Sequence, residues 1–593
     1  MKLEEQVKQL VVEVVQELYA QTIDDAVVKI DKTPSEFQGE LTVVIFPFVK
    51  ISSKNPELTA NEIGQALQNK TEIIESFNVV KGFLNLSFTE IYWLNVLKQI
   101  AGSTNFGEKP ATGKKYVVEY CGPNTNKPLH LGHVRNVLLG YSVANILMAA
   151  GHEVHKVNIL NDRGIAICKS MVAYKRIGNG ETPTSTGIKG DHFVGKYYVE
   201  YQRIFEQEVG LLEMSNIGKE EAEKTCSIYL EASEMLRRWE SGDAEVLALW
   251  HMMNNWVYAG FEESYKKIGI DFEKDYKESE YYLKGKDIVY EGLAKNAFYK
   301  KEDGSIWVDL TNEGLDHKVL LRADGTSVYI TQDIAVAIAR YADFKMDTSI
   351  YVVANEQDYH FKVLKMVLQK LKVPFADGIY HLNYGMVDLP EGKMKSREGT
   401  VVDADELIAE MQTESREFLA DSEKSSEFSE EEKNILADQI GLAALKYFIL
   451  KVDPKKRMLF NPKESIDLQG NTGPFIQYTY ARIQSIFRKL KEEEFQISIN
   501  KFESIDPIEK ELIVLLNQYP TIVEIAADTY SPAEIGNYIY ALAKKFNTFY
   551  FDHSIAKAET EAKKHLRANI AFNVSRVIKH GLNLLGISVP ERM

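Results

Sequence analysis

Cysteines, long apolar runs and an excess of positive charge are missing or scarce in this sequence. The 593 residues include three cysteines, Cys121, Cys168 and Cys226, which are dispersed along the chain. They form neither the closely spaced pairs of a structural zinc site nor a disulfide framework, which fits a reducing cytoplasm. No stretch of roughly 18 uncharged apolar residues occurs, so we expect no membrane span. The N-terminus is acidic and amphipathic, so we expect neither a secretory signal nor a transit peptide.

The charge balance is acidic, with a formal net charge of −16. Proteins that bind nucleic acid usually present a basic face, so this sum argues against such binding. The argument is weak for a large enzyme, because lysines and arginines can be concentrated where RNA lies. Residues 451–457 and 482–491 are local basic patches of this kind, although each pattern is more often a solvated helix face.

The chain is too long for one hydrophobic core, and its patterns divide it into three parts. Residues 1–110 predict a small α+β domain, with apolar residues at helical spacing from Leu3 to Leu18 and strand-like runs at 42–46 and 83–88. Residues 421–593 are mostly of helical periodicity and predict an all-α bundle. No internal repeat or extended low-complexity segment is visible.

The central part, residues 111–420, alternates strand and helix signals, as a doubly wound parallel sheet would. Buried strands are predicted at 115–120, 153–159, 350–353 and 382–387. A long stretch rich in Lys, Glu and Tyr separates the second strand from the third. We interpret this stretch as an insertion into the sheet domain, at about residues 171–345.

Two histidines with a glycine between them, His130, Gly132 and His133, lie where the first of these strands hands over to a helix predicted at 134–150. Such junctions bind nucleotides, because the free N–H groups and positive dipole of the helix attract phosphate. The imidazoles can donate hydrogen bonds to a developing pyrophosphate, and the missing side chain of Gly132 lets a flat base approach. For the turn alone, a surface turn is an equal alternative. The strand, the helix and the lead-in Pro-Asn-x-x-Lys-Pro favour the nucleotide site.

A second motif, Gly-Lys-Met-Lys-Ser-Arg-Glu-Gly at 392–399, follows the last predicted strand. Lys393, Lys395 and Arg397 place three cations on a loop flanked by glycines, which suits neutralisation of triphosphate charge. Alone, this motif would indicate a solvated basic loop. Its combination with the histidine turn in one α/β domain is much more specific.

The combination resembles class I aminoacyl-tRNA synthetases, whose signatures are His-Ile-Gly-His and Lys-Met-Ser-Lys-Ser. Further segments look like the arginyl-tRNA synthetase family, and they lie at residues 119–133, 162–164, 324–333, 357–360, 471–482 and 590–593. The resemblance covers essentially the whole chain. It implies a Rossmann-like catalytic domain, an N-terminal domain that contacts tRNA and a helical anticodon-binding domain. It also implies ATP-dependent activation of L-arginine to arginyl-adenylate and transfer to tRNA(Arg).

The resemblance implies roles for individual residues in catalysis and ATP binding. His130 and His133 would contact the phosphates, with Lys393 and Lys395 as the mobile clamp and Lys127 sharing their role. ATP would also lie against Pro123, Leu131, Gly132, His360, Met394 and Ser396. The late motif reads Lys-Met-Lys-Ser-Arg, which leaves open which lysine contacts which phosphate. We expect ATP to arrive with Mg²⁺.

The resemblance also implies contacts to the amino acid and to tRNA. Arginine would be held by Glu119, Cys121, Asn124, Tyr329, Asp333 and Gln357. The tRNA would meet Phe83 and Asn85 in the N-terminal domain and Tyr478, Tyr480 and Arg482 in the helical domain. A guanidinium is planar and always charged, so its site needs carboxylates and often an aromatic face. Tyr329 and Asp333 are four residues apart and share one side of a helix that starts near Ile330.

Without the resemblance, several of these residues have ordinary explanations. Tyr329 would pack in the core, Asp333 would be an acid favoured by the helix dipole, and His360 would cap a helix. Tyr478 and Tyr480 would belong to a buried stripe, as aromatic residues on a helix usually do.

Three other functions fit parts of the pattern. A small nucleotidylyltransferase disagrees with the length and the helical C-terminal part, and a cysteinyl synthetase disagrees with the absence of zinc ligands. A non-catalytic tRNA-binding paralogue would typically have lost the histidines or lysines. We expect a monomer, because no strongly apolar exposed stretch stands out.

Overall fold

The computed structural model of the chain describes residues 3–34, 36–388, 402–420, 428–489 and 504–593. The four predicted loop residues Lys393, Met394, Lys395 and Ser396 lie outside these ranges. Two compact units are formed. The first unit combines residues 1–106, 486–518 and 544–575, and the second combines residues 107–485, 519–543 and 576–593.

The secondary structure is a mixture of strands and helices in the first two thirds of the chain and mostly helices afterwards. The strands are β1 Ile30–Lys32, β2 Leu41–Val44, β3 Ile74–Val80, β4 Phe83–Phe88, β5 Lys115–Glu119, β6 Glu153–Leu160, β7 Lys274–Lys277, β8 Tyr299–Lys300, β9 Ile306–Val308, β10 Lys318–Leu321, β11 Thr348–Ala354, β12 Ile379–Tyr384, β13 Val387–Asp388 and β14 Met458–Leu459. The first eleven helices are α1 Leu3–Tyr19, α2 Val49–Ser52, α3 Pro56–Lys70, α4 Glu90–Gly102, α5 Leu131–Ala149, α6 Ile165–Ile177, α7 Pro183–Thr186, α8 Gly190–Met214, α9 Lys219–Thr225, α10 Ser227–Glu240 and α11 Ala244–Ile268. The later helices are α12 Glu278–Tyr281, α13 Lys284–Ala294, α14 Tyr329–Phe344, α15 Asp358–Lys370, α16 Ala404–Ala420, α17 Glu430–Leu450, α18 Pro462–Ser465, α19 Gly473–Phe487, α20 Pro507–Thr529, α21 Pro532–Asp552 and α22 Glu561–Leu584.

The first unit contains a four-stranded antiparallel sheet in the order β1-β2-β4-β3. Helix α1 buries the apolar stripe that its spacing predicts, including Val7, Val11 and Val14. The two predicted strands are present as β2 and β4. The sequence does not predict strands β1 and β3, because exposed and half-buried residues dominate both and no apolar alternation marks them.

The second unit contains the predicted doubly wound sheet. Its five strands run in parallel in the order β12-β11-β5-β6-β7. The chain starts at β5 in the middle, builds outwards through β6 and β7, and then returns to add β11 and β12 on the other side. This change of direction between β5 and β11 is the point where open α/β sheets form a ligand crevice.

Two details of this sheet differ from the sequence prediction. Strand β7 interrupts the predicted insertion, because its sequence Lys-Asp-Tyr-Lys is too charged to be predicted as a buried strand but suits a sheet edge. The strand predicted at 382–387 is really the end of β12 and the start of β13, and β13 pairs with β14.

Helix α5 follows β5 and is buried on nearly all sides, which fits its almost continuous apolar sequence. Its one buried arginine, Arg135, donates to the backbone carbonyls of Pro454 at 3.0 Å and Lys456 at 2.8 Å. The helix is thereby fixed in orientation beneath the crevice. Within the described residues, no helix is long and apolar enough to cross a membrane.

Candidate active site

The crevice at the carboxyl ends of β5 and β11 gathers most of the predicted site residues. Glu119 ends β5, and the histidine turn opens α5 a few residues later. On the other side of the crevice, β11 ends at Ala354 and leads into α15, which carries His360. Residues far apart in the sequence are thus brought to one edge of the sheet.

The two histidines are fixed by hydrogen bonds to backbone N–H groups. His130 is the residue that caps α5, and its Nδ1 accepts from the N–H of Gly132 at 3.1 Å. His133 Nδ1 accepts from the N–H of His130 at 3.2 Å. A neutral imidazole has one acceptor and one donor nitrogen, so both rings must carry their proton on Nε2. The turn therefore presents two Nε2–H donors.

The histidines are held in the neutral form. Burial, together with the neighbouring charge of Lys127, lowers the pKa of His130 to about 4. Burial also lowers the pKa of His133 well below its usual range. At neutral pH the rings therefore act as hydrogen-bond donors rather than as cations. Burial lowers the pKa of Lys127 as well.

The ring of His130 lies so close to Gly132 that it leaves no room for a side chain there. This requirement for glycine is separate from the space that an approaching base would need. A Cβ at this position would lie 2.9 Å from Cε1 and 3.0 Å from Nδ1 of His130. The neighbouring Leu131 is fully buried, and the ring of Pro123 is buried as well. Leu131 therefore supports the turn from the core rather than from the crevice.

The residues on both sides of the 389–401 segment are anchored to this turn and its helix. Ala404 donates its N–H to the carbonyl of Leu129, and Leu131 donates to the carbonyl of Val402, each at 3.0 Å. On the other side, Arg135 donates to the carbonyl of Met386 at 3.4 Å. Residues 402 and 404 therefore lie against the histidine turn, and residue 386 lies against α5.

Glu119 is a buried carboxylate that pairs with Arg340 of α14. Its neighbour across the sheet is Tyr351 of β11. Two residues further on, Cys121 is buried with its Sγ 3.4 Å from the hydroxyl of Tyr265, which is a core contact rather than a position on the crevice wall. Its backbone has φ 82°, in the left-handed region.

Helix α14 starts at Tyr329, as the predicted start near Ile330 required. Tyr329 is 81% exposed, so it is not a core residue. Asp333, one turn later, pairs with His360, whose Nε2 lies 2.6 Å from Oδ2 of Asp333. Burial acts to lower the pKa of His360, but the hydrogen bond and charge of Asp333 outweigh it and raise that pKa. His360 therefore orients a carboxylate and does not cap its helix.

Gln357 and Asn124 are exposed at the two sides of the crevice. Gln357 lies at the start of α15, and Asn124 forms an isolated parallel bridge with Asn161. Both side chains are accessible to a ligand.

Glu278 is a candidate site residue that the sequence reasoning does not identify. It begins α12 directly after the charged edge strand β7, and its side chain is 12% exposed. Burial raises the pKa of Glu278 to about 7, with Asp162 and Asp333 adding to the effect and Arg163 and Gln332 opposing it. A carboxyl group that titrates near neutrality in a crevice is a functional candidate. The only signal in the sequence is its place at the end of a strand that is itself hard to recognise.

The Asp-Arg-Gly motif at 162–164 supports Glu278. The carboxylate of Asp162 is fully buried and accepts from the N–H of Ser279 at 2.9 Å and from its hydroxyl at 2.8 Å. Tyr258 donates to the same carboxylate at 2.9 Å. Asp162 thereby fixes the turn in which Glu278 lies.

The first unit has a separate cavity of about 300 Å³ between its strands, lined by Phe37, Lys81, Phe83 and Asn85 among others. Phe83 is 39% exposed. Asn85 is buried, and its Oδ1 accepts from the hydroxyl of Thr42 at 2.6 Å. Its Nδ2 has no hydrogen-bond partner among the described residues. The exposed ring of Phe83 at the mouth of this cavity can receive a flat heterocycle.

The three candidates on α19 differ in exposure. Tyr480 is 3% exposed and donates its hydroxyl to Glu591 at 2.9 Å, which is a packing role. Tyr478 is half-buried, and the guanidinium of Arg482 lies 4.8 Å from its ring centroid. A buried ring cannot stack on a base, so Tyr480 belongs to the core of the helical part.

One group of three potential metal ligands occurs in the described ranges, at Asp191, His192 and Asp405. The ammonium of Lys189 lies 2.7 Å from Asp405 and 3.1 Å from Asp191. A lysine therefore already supplies the cation, and the group fits an ion-pair network better than a resident metal.

Comparison with known proteins gives a consistent result over the full length. Residues 96–461 match the family model of the class I (R) tRNA synthetase catalytic domain, residues 476–593 the DALR anticodon binding domain, and residues 5–88 the arginyl tRNA synthetase N terminal domain. The chain is 53% identical to the arginine–tRNA ligase of Bacteroides thetaiotaomicron and 52% identical to that of Parabacteroides distasonis, covering 100% of both chains in each case. Its fold matches the Thermus thermophilus arginyl-tRNA synthetase with a TM-score of 0.77 at 22% identity, covering 100% of each chain.

Proposed function

This chain belongs to the arginyl-tRNA synthetase family and is an arginine–tRNA ligase, and from its site geometry we propose how its residues divide the reaction. In the first step, a carboxylate oxygen of arginine attacks the α-phosphorus of ATP, and pyrophosphate leaves. In the second step, a hydroxyl of the terminal adenosine of tRNA attacks the activated carbonyl, and AMP leaves. Neither step needs an enzyme nucleophile, so positioning and charge stabilisation carry catalysis.

His130 and His133 serve the phosphate side. Their Nε2–H groups, set by the backbone hydrogen bonds to Nδ1, donate to phosphate oxygens as charge develops there. Lys127 adds a positive charge beside the turn. Lys393 and Lys395 complete the phosphate contacts, and the anchoring of residues 386 and 402–404 at the turn supports this role. ATP enters as its magnesium complex, as a substrate.

Asp333 and Glu278 serve the guanidinium of arginine, and the ring of Tyr329 covers it. The observation that carries this assignment is the placement of two carboxyl groups near one another beside an exposed tyrosine at the edge of the sheet. Glu119 and Asn124 receive the α-ammonium and α-carboxylate end, and Gln357 lies near the guanidinium. When arginine binds in this orientation, its reacting carboxylate faces the phosphates of ATP.

The test of the guanidinium assignment uses the titration of Glu278. An ionised Glu278 attracts a guanidinium, so KM for arginine should rise as the pH falls from 8 to 6 through the pKa of about 7. Glu278→Gln should raise KM at pH 8 by at least about tenfold, since hydrogen bonds to charged groups contribute about 1.5–3 kcal/mol. The variant should also lose the pH dependence.

Glu280→Gln is the matched control, because Glu280 is an exposed carboxylate two residues away. It should keep both the wild-type KM and its pH profile. A Glu278→Gln enzyme with wild-type KM at pH 8 would remove Glu278 from the arginine site. Aminoacylation of total tRNA with each amino acid in turn tests the choice of arginine independently.

We assign tRNA contacts to two regions. The cavity beside Phe83 and Asn85 receives an unpaired base, which stacks on the ring of Phe83. Residues 421–593 hold the anticodon, with Tyr478 and Arg482 as contacts, and residues 111–420 carry the chemistry. Deletion of the chain beyond residue 420 should therefore abolish aminoacylation.

Arginine activation should depend on bound tRNA, so ATP–pyrophosphate exchange should be weak without it. Strong exchange by the protein alone would contradict this. We further propose that the protein acts as a monomer in the cytoplasm, where its three buried cysteines remain free thiols. Sedimentation of the purified protein tests the oligomeric state.

A further inference from the structure

Arg340 lies at the inner end of the face of α14 that carries Tyr329 and Asp333. The three positions are spaced by four and seven residues, so they share one side of the helix. Exposure falls along this face from 81% at Tyr329 to 0% at Arg340. The face therefore begins at the open crevice and ends with a guanidinium inside the protein.

The surroundings of this guanidinium are one carboxylate and two aromatic rings. Arg340 pairs with Oε2 of Glu119. Its central carbon lies 5.1 Å from the ring centroid of Tyr276 and 5.4 Å from that of Tyr351. Within the described part of the chain, its Nε and Nη1 have no hydrogen-bond partner. A buried charge with one partner is expensive to keep, which calls for a functional reason.

The reason lies in the charge state of Glu119. Burial raises the pKa of Glu119, the nearby charge of Asp333 raises it further, and Arg340 is the group that opposes both effects. Tyr351, the neighbour across the sheet, also faces the carboxyl group. Removing Arg340 would raise the pKa of Glu119 further and favour the protonated form, which cannot neutralise an ammonium group.

We propose that Arg340 is a positioning residue for the amino-acid site, which holds Glu119 as an oriented carboxylate for the α-ammonium group of the substrate. The inference rests on the role proposed above for Glu119. Because Arg340 occupies Oε2, Oε1 is the oxygen that meets the substrate. An arginine of the protein thus orients Glu119 at the end of the site that binds the α-ammonium group of the substrate. The guanidinium of the substrate lies at the other end.

The test compares arginine with 5-guanidinopentanoate, which is arginine without its α-amino group. KM for arginine and the inhibition constant of the analogue are measured in tRNA aminoacylation by the full chain. The wild-type enzyme should prefer arginine by about 10- to 100-fold, as expected for one hydrogen bond between charged groups. Arg340→Met and Arg340→Gln should reduce this preference to about threefold or less, and Arg340→Lys should retain most of it.

The preference for arginine over citrulline, which lacks the guanidinium charge, should survive in the same variants because Asp333 and Glu278 are untouched. Simple destabilisation would lower activity with all substrates. It would not reduce the preference for arginine over 5-guanidinopentanoate while leaving the preference over citrulline intact. Arg567→Met is the matched control, since Arg567 forms a similarly buried pair with Glu509 in the first unit. It should reduce stability and change neither preference.

Glu119→Gln separates this inference from the assignment beneath it. If Glu119→Gln keeps the full preference for arginine over the analogue, Glu119 does not bind the ammonium group and both ideas fail. If Glu119→Gln loses the preference but Arg340→Met and Arg340→Gln keep it, only the role of Arg340 is overturned.

Discussion

Replacing Gly132 by alanine should preserve the fold and slow arginine activation by about 100-fold. The added Cβ would lie 2.9 Å from Cε1 of His130, whereas carbon atoms in ordinary contact are about 3.5–4.0 Å apart. The His130 ring must therefore move by roughly 0.6–1 Å. This displacement breaks the hydrogen bond of 3.1 Å between Nδ1 and the N–H of residue 132, which also selects the Nε2–H form of the ring.

The effect on stability should be small because two terms oppose each other. The lost hydrogen bond costs about 1 kcal/mol, and alanine is favoured over glycine in a helix by a similar amount. Catalysis is more sensitive, because misplacing a group by about 1 Å can cost about 100-fold in rate. The expected result is a folded enzyme with a melting temperature near that of the wild type and a greatly reduced rate.

The measurement is ATP–pyrophosphate exchange in the presence of tRNA, together with thermal unfolding. Gly210→Ala is the matched control, because Gly210 lies within α8 and a Cβ there meets nothing within 4 Å. It should leave the rate unchanged and stabilise the protein by up to about 1 kcal/mol. A Gly132→Ala enzyme that is folded and within threefold of the wild-type rate would refute the role given to the ring position.

Two further predictions concern stability and tRNA binding. Asp405→Asn should destabilise the second unit by about 1.5–3 kcal/mol in denaturant unfolding, since half-buried Lys189 loses one charged partner and keeps only Asp191 as an ion pair. Although burial acts to raise the pKa of Asp405, hydrogen bonds from His192 and Lys189 hold it below its usual value. The carboxylate's stabilising effect is therefore full at neutral pH, begins to decrease as the pH falls below about 4 and disappears only below the lowered pKa of Asp405. Destabilisation by Asp405→Asn that is as large at pH 3 as at pH 7 would contradict this. Phe83→Ala should raise KM for tRNA by roughly 10- to 100-fold with kcat nearly unchanged, as expected for one stacked base. Ile91→Ala, an exposed apolar residue of the same unit, should leave KM for tRNA unchanged, and a normal KM for Phe83→Ala would remove the cavity from the tRNA contact surface.

The parts of the fold and site that the sequence predicts are those with a local signature. Strand β5, the histidine turn and α5 are consecutive, so an apolar run, a glycine and a second apolar run are enough to recognise them. Helix α1 is recognisable for the same reason. The parallel sheet follows from the alternation of such signals, and with it the location of the crevice.

The parts that the sequence does not predict depend on contacts between distant segments. Strand β7 is charged because it lies at a sheet edge, so hydrophobic periodicity cannot reveal it, and Glu278 is missed along with it. The role of Asp162 is equally hidden, since its partner Ser279 belongs to the turn after β7. Buried polar contacts of this kind leave no periodic trace in the chain.

The face of α14 shows where local pattern ends and tertiary structure begins. The spacing of Tyr329, Asp333 and Arg340 is visible in the sequence, and it establishes that the three side chains share one side of a helix. It does not reveal that the first is open to solvent, that the second is held by His360, or that the last is enclosed by two tyrosines. The same helical period therefore supplies a substrate contact at one end and an internal counter-ion at the other. The chemistry of each position is decided by depth in the crevice, which depends on how α14 packs against β5 and β11.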